Sequence, residues 1–309
     1  MKMSVVIVNW NGAELLEACL DSLFDQDLTG FEVIVVDNAS TDVSRKMLAE
    51  RFPHVIVVAL SENLGFPEAC NIGIDKSDSD WVILLNNDTR VAPNWVAEMR
   101  KAAEQAPAQC GMLQAVMVYM DRPEILNSAG ILLSRIGAGC DIGDGIPASS
   151  FTLPDEVFCA TAGAAAYRRT MLTSLRLPSG YLDRRHFLYF EDMDLGWRAR
   201  LAGWSTLVVP KARVRHVWHG TNERFDQSWL GRLTHRNHWR TLIKNASAAT
   251  LLRTAPGMAA TTLRHMRAGG RKSLQETLQA MREAWATRQE VEALRTLSRR
   301  EVERAWMER

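Results

Sequence analysis

Trp81-Val-Ile-Leu-Leu-Asn-Asn-Asp88 runs five apolar residues straight into two amides and a carboxylate. A short unbroken apolar run reads as a strand buried on both faces, as in a parallel sheet covered by helices. Ligands bind such open sheets outside the carboxyl ends of their strands, so Asp88 is placed where a metal or phosphate would be met. Read alone, Asn86, Asn87 and Asp88 equally well open a turn.

The segments before it support the sheet. Val5–Val8 reads as a first strand, Ala13–Phe24 as a helix with Leu15, Leu16, Cys19, Leu20 and Leu23 at helical spacing, and Glu32–Val36 as a second strand. Asp37-Asn-Ala-Ser-Thr-Asp42 suits a polar loop capping a helix over Val43–Phe52. A strand at Val55–Leu60, a loop with Asn63-Leu-Gly65 and a helix near Pro67–Lys76 lead to Trp81. Strands alternating with helices predict a parallel, helix-covered sheet over residues 1–110.

Further on the pattern loosens. Gly137-Ala-Gly-Cys-Asp-Ile-Gly-Asp-Gly145 reads as a mobile loop, and its glycines do not fit a dinucleotide fingerprint. Val157–Tyr167 is expected to return to the core. Phe187–Phe190 precedes Glu191-Asp-Met-Asp194, carboxylates that open a helix and also suit its dipole. A strand at Thr206–Val209 leads to Arg215-His-Val-Trp-His-Gly-Thr221. Beyond Ser228 the chain is helical, with breaks expected at Pro256 and at Gly269-Gly270. Leu274, Leu278, Met281, Trp285, Val291, Leu294 and Leu297 form an apolar stripe expected to be a packing face, with a membrane or partner surface as the alternative.

Composition bounds the class. The chain has 309 residues, 47% apolar and 24% charged, and holds no run long enough for a membrane span or a signal peptide. Five cysteines without a CxxC pair argue against a zinc ribbon or a disulfide framework and fit reduced, cytoplasmic thiols, so the sequons at Asn38, Asn87 and Asn245 are expected to carry no glycan. The net charge of +1 hides a division: residues 222–309 carry 17 Lys/Arg against 9 Asp/Glu, which leaves 20 against 27 for residues 1–221. The basic end suggests an anionic surface, either lipid headgroups on the inner face of a membrane or nucleic acid.

Asp37, Asp88 and the Glu191–Asp192 pair are the candidate chemistry. A parallel sheet brings the first two to one rim. Carboxylates in unlike environments can divide the work, one binding Mg²⁺ or Mn²⁺ beside a substrate diphosphate and another staying free as a base. His216 and His219 follow a strand and are alternative imidazole ligands; His235-Arg-Asn-His238 repeats their spacing without a carboxylate partner.

Five ordered motifs resemble the family 2 glycosyltransferases, most closely the rhamnosyltransferase-type members that build bacterial cell-surface polysaccharides. They are Val6-Ile-Val-Asn-Trp-Asn-Gly12, Val35-Val-Asp-Asn-Ala-Ser-Thr-Asp42, Asn63-Leu-Gly-Phe66 with Asn71, Leu84-Leu-Asn-Asn-Asp-Thr89 and Phe190-Glu-Asp-Met-Asp194. The resemblance covers about residues 3–221 and implies an α/β GT-A fold, mostly parallel and Rossmann-like, with an inverting mechanism and a nucleotide-diphosphate sugar donor. It implies that Asp37, with Asn9 and Asn11, holds the nucleoside, that Asn63, Gly65 and Asn71 line the donor pocket, and that Asn86-Asn87-Asp88 stands at the DxD position with Asn86 in place of the first aspartate. Asp88 then becomes the metal carboxylate and Asp192, beside Glu191, the catalytic base. His216 is preferred to His219 as the late histidine.

The expected division is a catalytic domain over 1–221 and a basic helical C-terminal region over 222–309. That region rests on an anionic membrane, packs on the catalytic domain, or joins two copies into a homodimer. The acceptor is a saccharide or a lipid-linked glycan. Two rivals stand beside this reading. A Mg²⁺-dependent nucleotidyltransferase would need a basic, Gly-rich loop after the first strand, where Asn9-Trp-Asn-Gly12 has no cation. A nucleic-acid-binding tail would need interleaved aromatics that are sparse here, so nucleic acid is not expected as a partner.

Overall fold

The computed structural model describes residues 1–26, 30–217 and 225–307. In chain order β1 (Met3–Asn9), α1 (Ala13–Phe24), β2 (Glu32–Asp37), α2 (Ser44–Arg51), β3 (Ile56–Ala59), α3 (Phe66–Lys76) and β4 (Trp81–Asn86) alternate as the sequence predicts. There follow β5 (Thr89–Val91), α4 (Trp95–Gln105), β6 (Cys110–Tyr119), β7 (Leu126–Ser128), β8 (Ile131–Leu133), β9 (Gly139–Asp141), β10 (Ala164–Arg168), α5 (Arg169–Ser174), α6 (Glu191–Leu201) and β11 (Ser205–His216). Three helices close the chain: α7 (Gln227–Asn245), α8 (Ala248–Leu294) and α9 (Arg299–Met307).

The main sheet has the order β3-β2-β1-β4-β10-β6-β11-β5, with β7 on β6. β3, β2, β1 and β4 are parallel neighbours. Their register sets Asn9 beside Asp37, and Val8 beside Asn86, so three strand ends share one rim. β10 enters antiparallel between β4 and β6, and β11 curls round to meet β5 by pairing His216 with Thr89. Successive residues of β1 face opposite cores: Val5 and Ile7 pack with α1 residues Leu16 and Leu20, whereas Val6 packs with Ala69 and Ile74 of α3.

Three expectations change. The Gly137–Gly145 stretch is built into the fold, since Gly139–Asp141 forms a hairpin with Ile131–Leu133 in register. Pro256 does not break α8, because it lies in the third turn, where the chain stays helical; the break falls at Gly270 alone, whose φ of 68° suits glycine. The apolar stripe is only in part the packing face: Val291 is buried and Met281 and Leu294 pack against the core, whereas Leu278 and Trp285 are 42% and 53% exposed. Alongside Val291, α8 buries Ser273, Thr277, Ala280, Ala284 and Thr287, small side chains that let it lie close. Trp239, Leu242, Val291 and Val302 of the last helices belong to the same apolar cluster as Val6 and Ile34.

Candidate active site

A cavity of about 1040 Å³ opens over the rim and takes in Asn63, Asp88, Asp192 and His216. Asp88 follows the end of β4, and its carbonyl oxygen accepts from Val217 N at 2.9 Å, which ties it to the end of β11. His216 Nε2 lies 3.3 Å from Asp88 Oδ1. On the ring's other side Nδ1 donates to Asn127 Oδ1 at 2.8 Å, which orients the ring with Nε2 toward the carboxylate. An imidazole nitrogen and a carboxylate oxygen side by side are donors that a divalent cation accepts. Adjacent ligands of an octahedral ion with bonds of 2.0–2.1 Å stand about 3 Å apart, so the pair fits Mg²⁺ or Mn²⁺. Among the described residues no group of three or more His, Cys, Asp or Glu side chains gathers to hold a metal. His219 lies outside the described residues.

The amides of the rim mostly brace it. Asn9 is fully buried, donates to Ser40 Oγ and Ser44 Oγ, and accepts from Asn87 Nδ2 at 2.8 Å, joining β1 to α2 and to the end of β4. Asn11, at φ 52°, accepts from the backbone of Thr41 and Asp42. Asn71 grips Leu182 through both its backbone groups. Asn63 accepts from Asn38 Nδ2 and from Gly65 N, shaping the turn in which Gly65 has φ 82°. A Cβ on Gly65 would stand 2.6 Å from Phe187 O, so only glycine admits that loop. Asp37 is fully buried; Arg45 Nε donates to its Oδ2 at 2.5 Å, while its Oδ1 has no hydrogen-bond partner among the described residues.

Glu191 and Asp192 open α6 after an unusual approach: Phe187, Tyr189 and Phe190 all have positive φ, a strain that the surroundings must hold. Asn237 of α7 holds it, its Nδ2 donating to the carbonyls of His186, Leu188 and Tyr189 at 2.7–3.0 Å. The two carboxyls then diverge. Burial pushes Glu191 well above the usual carboxylate range, with the Asp192 charge adding to the rise. Asp192 is raised to about 6, chiefly by burial, against hydrogen bonds from the Met193 and Ala162 N–H groups. Burial thus biases Glu191 the more strongly toward its neutral form, while Asp192, at about 6, stays close enough to neutrality to accept a proton.

Sequence reasoning missed four participants. Asn127 orients His216. Asp141 of β9 lines the cavity and is raised by burial. Lys244 of α7, fully buried, bridges Asp183 and Asp194 at 2.8 Å each, and Arg198 and Asn245 complete the shell of Asp194. Asn237 is the fourth. None belongs to a local motif; each acts across a distance in sequence of 40 residues or more.

A mostly parallel sheet with a large cavity over its carboxyl rim, an aspartate–histidine pair there and further carboxyls on a covering helix is the arrangement of a GT-A glycosyltransferase. The chain belongs to glycosyl transferase family 2, whose family model matches residues 4–176. It is 29% identical over 245 residues to an N-acetylglucosaminyl-diphospho-decaprenol L-rhamnosyltransferase of Mycobacterium tuberculosis, covering 69% of this chain and 75% of that one. Its fold resembles a Pyrobaculum calidifontis mannosyltransferase in complex with GDP-Man and Mn²⁺, with TM-score 0.55, 18% identity and coverage of 92% of this chain and 75% of the other. Staphylococcus aureus TarS 1-349 in complex with UDP-GlcNAc gives TM-score 0.56 at 16% identity, covering 95% and 84%.

Proposed function

We propose that this glycosyltransferase moves a hexosyl or deoxyhexosyl group, rhamnose among them, from a nucleotide-diphosphate sugar to a hydroxyl of a saccharide or lipid-linked acceptor during cell-surface polysaccharide synthesis. The observation that carries the reading is the placement, in one cavity, of the Asp88–His216 pair and of the Glu191 and Asp192 carboxyls at the start of α6. Asp192 takes the acceptor hydroxyl proton as that oxygen attacks the anomeric carbon from the face opposite the diphosphate, which inverts the centre. Backbone N–H groups of Met193 and Ala162 aim the carboxylate. Asp88 and His216 would hold Mg²⁺ or Mn²⁺, and neutralisation of the leaving diphosphate is the chemistry such an ion supplies when bound. Asp37, Asn63 and Gly65 form the nucleoside side, with Asn9, Asn11, Asn71 and Asn87 as its braces. Residues 1–221 act as the catalytic part, and the basic helices of 222–309 complete the acceptor side.

The relative's name includes a diphospho-decaprenol, which supports a lipid-linked acceptor here. Among the described residues no helix is long and apolar enough to cross a membrane. Contact with an anionic leaflet is instead read from α8, where exposed Leu278 and Trp285 stand among Arg271, Lys272 and Arg282.

The test is a panel of nucleotide sugars with Mn²⁺, read by thermal shift and by donor hydrolysis. One donor should raise the melting temperature in the wild type and fail to do so in Asp88→Ala. Absence of any shift or hydrolysis across the panel refutes the assignment.

A further inference from the structure

A second cavity, of about 330 Å³, lies between the first turn of α8, the body of α9 and the turn that joins β8 to β9. It shares no lining residue with the active site. Its floor includes buried Ser247 and Thr250, and four arginines line it: Arg135, Arg253, Arg300 and Arg304. Glu303 is the single carboxyl among the lining residues, and both its oxygens are engaged, Oε1 by Ser247 N and Oε2 by Ser247 Oγ at 2.6 Å each. Glu301, one turn from Arg304 on α9, is taken up by Ser298 N at 2.7 Å. Among the described residues none of the four arginines forms an ion pair.

Four guanidinium charges against one engaged carboxylate leave the cavity three positive charges in excess. Guanidinium groups bind phosphate oxygens in pairs, so an oxyanion of phosphorus is the chemistry that fits. Arg253 is already set for it: Nη2 donates to Arg135 O at 2.9 Å and to Thr250 Oγ1 at 3.3 Å, which fixes its plane against the floor. Next to Arg135 and Arg253 in sequence stand Ile136 and Leu252, 59% and 77% exposed. A cationic pocket flanked by bare aliphatic side chains suits a lipid rather than a soluble ester, because the headgroup can fill the pocket while its neighbours enter the acyl boundary. We infer that this cavity holds the headgroup phosphate of an anionic phospholipid, gripped by Arg253, Arg300 and Arg304, with Ile136 and Leu252 set in the leaflet beside it. The site takes up the leaflet contact proposed above and needs nothing of the donor or the acceptor. It opens at the first turn of α8, whereas Leu278 and Trp285 lie beyond the kink at Gly270.

The test is calorimetry on the full chain in EDTA with dihexanoylphosphatidylglycerol below its micelle concentration. That lipid should bind, and zwitterionic dihexanoylphosphatidylcholine and glycerol 3-phosphate should bind far more weakly. Arg300→Ala with Arg304→Ala should weaken binding about 25-fold, about fivefold for each cation, and the two lysine variants should keep much of it. Both side chains are exposed, so the melting temperature should stay within about a degree. Arg90→Ala with Lys101→Ala removes the same charge from β5 and α4 and should leave binding unchanged. Unchanged affinity in the α9 double variant, or an equal loss in the β5 and α4 pair, overturns the site. Equal affinity for glycerol 3-phosphate assigns the cavity to a soluble ester and overturns the lipid. Sedimentation with phosphatidylglycerol vesicles separates the two membrane contacts: if the α9 double variant loses it while Leu278→Ser with Trp285→Ser keeps it, the earlier contact fails and the cavity stands, and the reverse result overturns the cavity.

Discussion

Asp192→Asn should trade activity for stability. The folded carboxyl titrates at about 6 against an ordinary 3.8, a gap worth about 3 kcal/mol at pH 7. The sign follows from linkage: a carboxyl raised on folding contributes stability below about pH 4 and loses it as pH rises through 6, so at pH 7 the ionised group is a cost. Asparagine removes that cost. It also turns an NH₂ toward one backbone donor, most easily the longer 3.4 Å bond from Ala162 N, which takes back about 1 kcal/mol. The net gain is about 2 kcal/mol, a rise of a few degrees in melting temperature for a chain of this size. Transfer should meanwhile fall about 10²–10⁴-fold with donor binding intact. Wild-type kcat/KM should drop about tenfold between pH 7 and pH 5 as Asp192 is protonated. Differential scanning calorimetry at pH 4 and pH 7, with a donor-binding assay, measures all of this. Near-normal turnover in the variant refutes the base, and a lower melting temperature at pH 7 refutes the energetic reasoning.

Three other outcomes follow from contacts already described. His216→Ala, and more mildly Asn127→Ala, should weaken Mn²⁺ affinity, the second by about 10–100-fold, in a titration followed by Mn²⁺ relaxation; unchanged affinity in His216→Ala removes that residue from the metal site. Lys244→Met should destabilise by about 3–5 kcal/mol in urea melts, since Asp183 and Asp194 would remain buried without their shared cation. Leu278→Ser with Trp285→Ser should reduce sedimentation with anionic vesicles and leave the melting temperature within a degree or two, because both side chains are exposed.

The half of the sheet built by local alternation was legible in the sequence. β1 to β4 pair in the order that strand–helix–strand units dictate, and the periodicity of each names its core face. The shared rim followed, because parallel register sets Asn9 level with Asp37 and Asn86 one residue short of them, beside Val8. What stayed hidden is long-range. β10 slots between β4 and β6 with no signal beyond a small apolar run, and the glycines at 137–145 read as mobility because nothing local reveals the partner strand Ile131–Leu133. The stripe after Ser273 was legible only in part: Val291, Met281 and Leu294 do pack inward, but Leu278 and Trp285 do not, because close approach of two helices favours Ser, Thr and Ala there. Asn127, Lys244 and Asn237 are polar residues in otherwise ordinary segments, and only tertiary contact gives them a role.

Lys244 also imposes an order on how the enzyme comes into being. Synthesis delivers the sheet first and lets it fold as it emerges. Asp194 meets Arg198 four residues on, but its second cation lies 50 residues further along the chain, and the strained aromatic segment before Asp192 waits likewise for Asn237. A nascent chain can thus form its sheet rim before the start of α6 is held in place, so the C-terminal helices complete what the earlier residues begin.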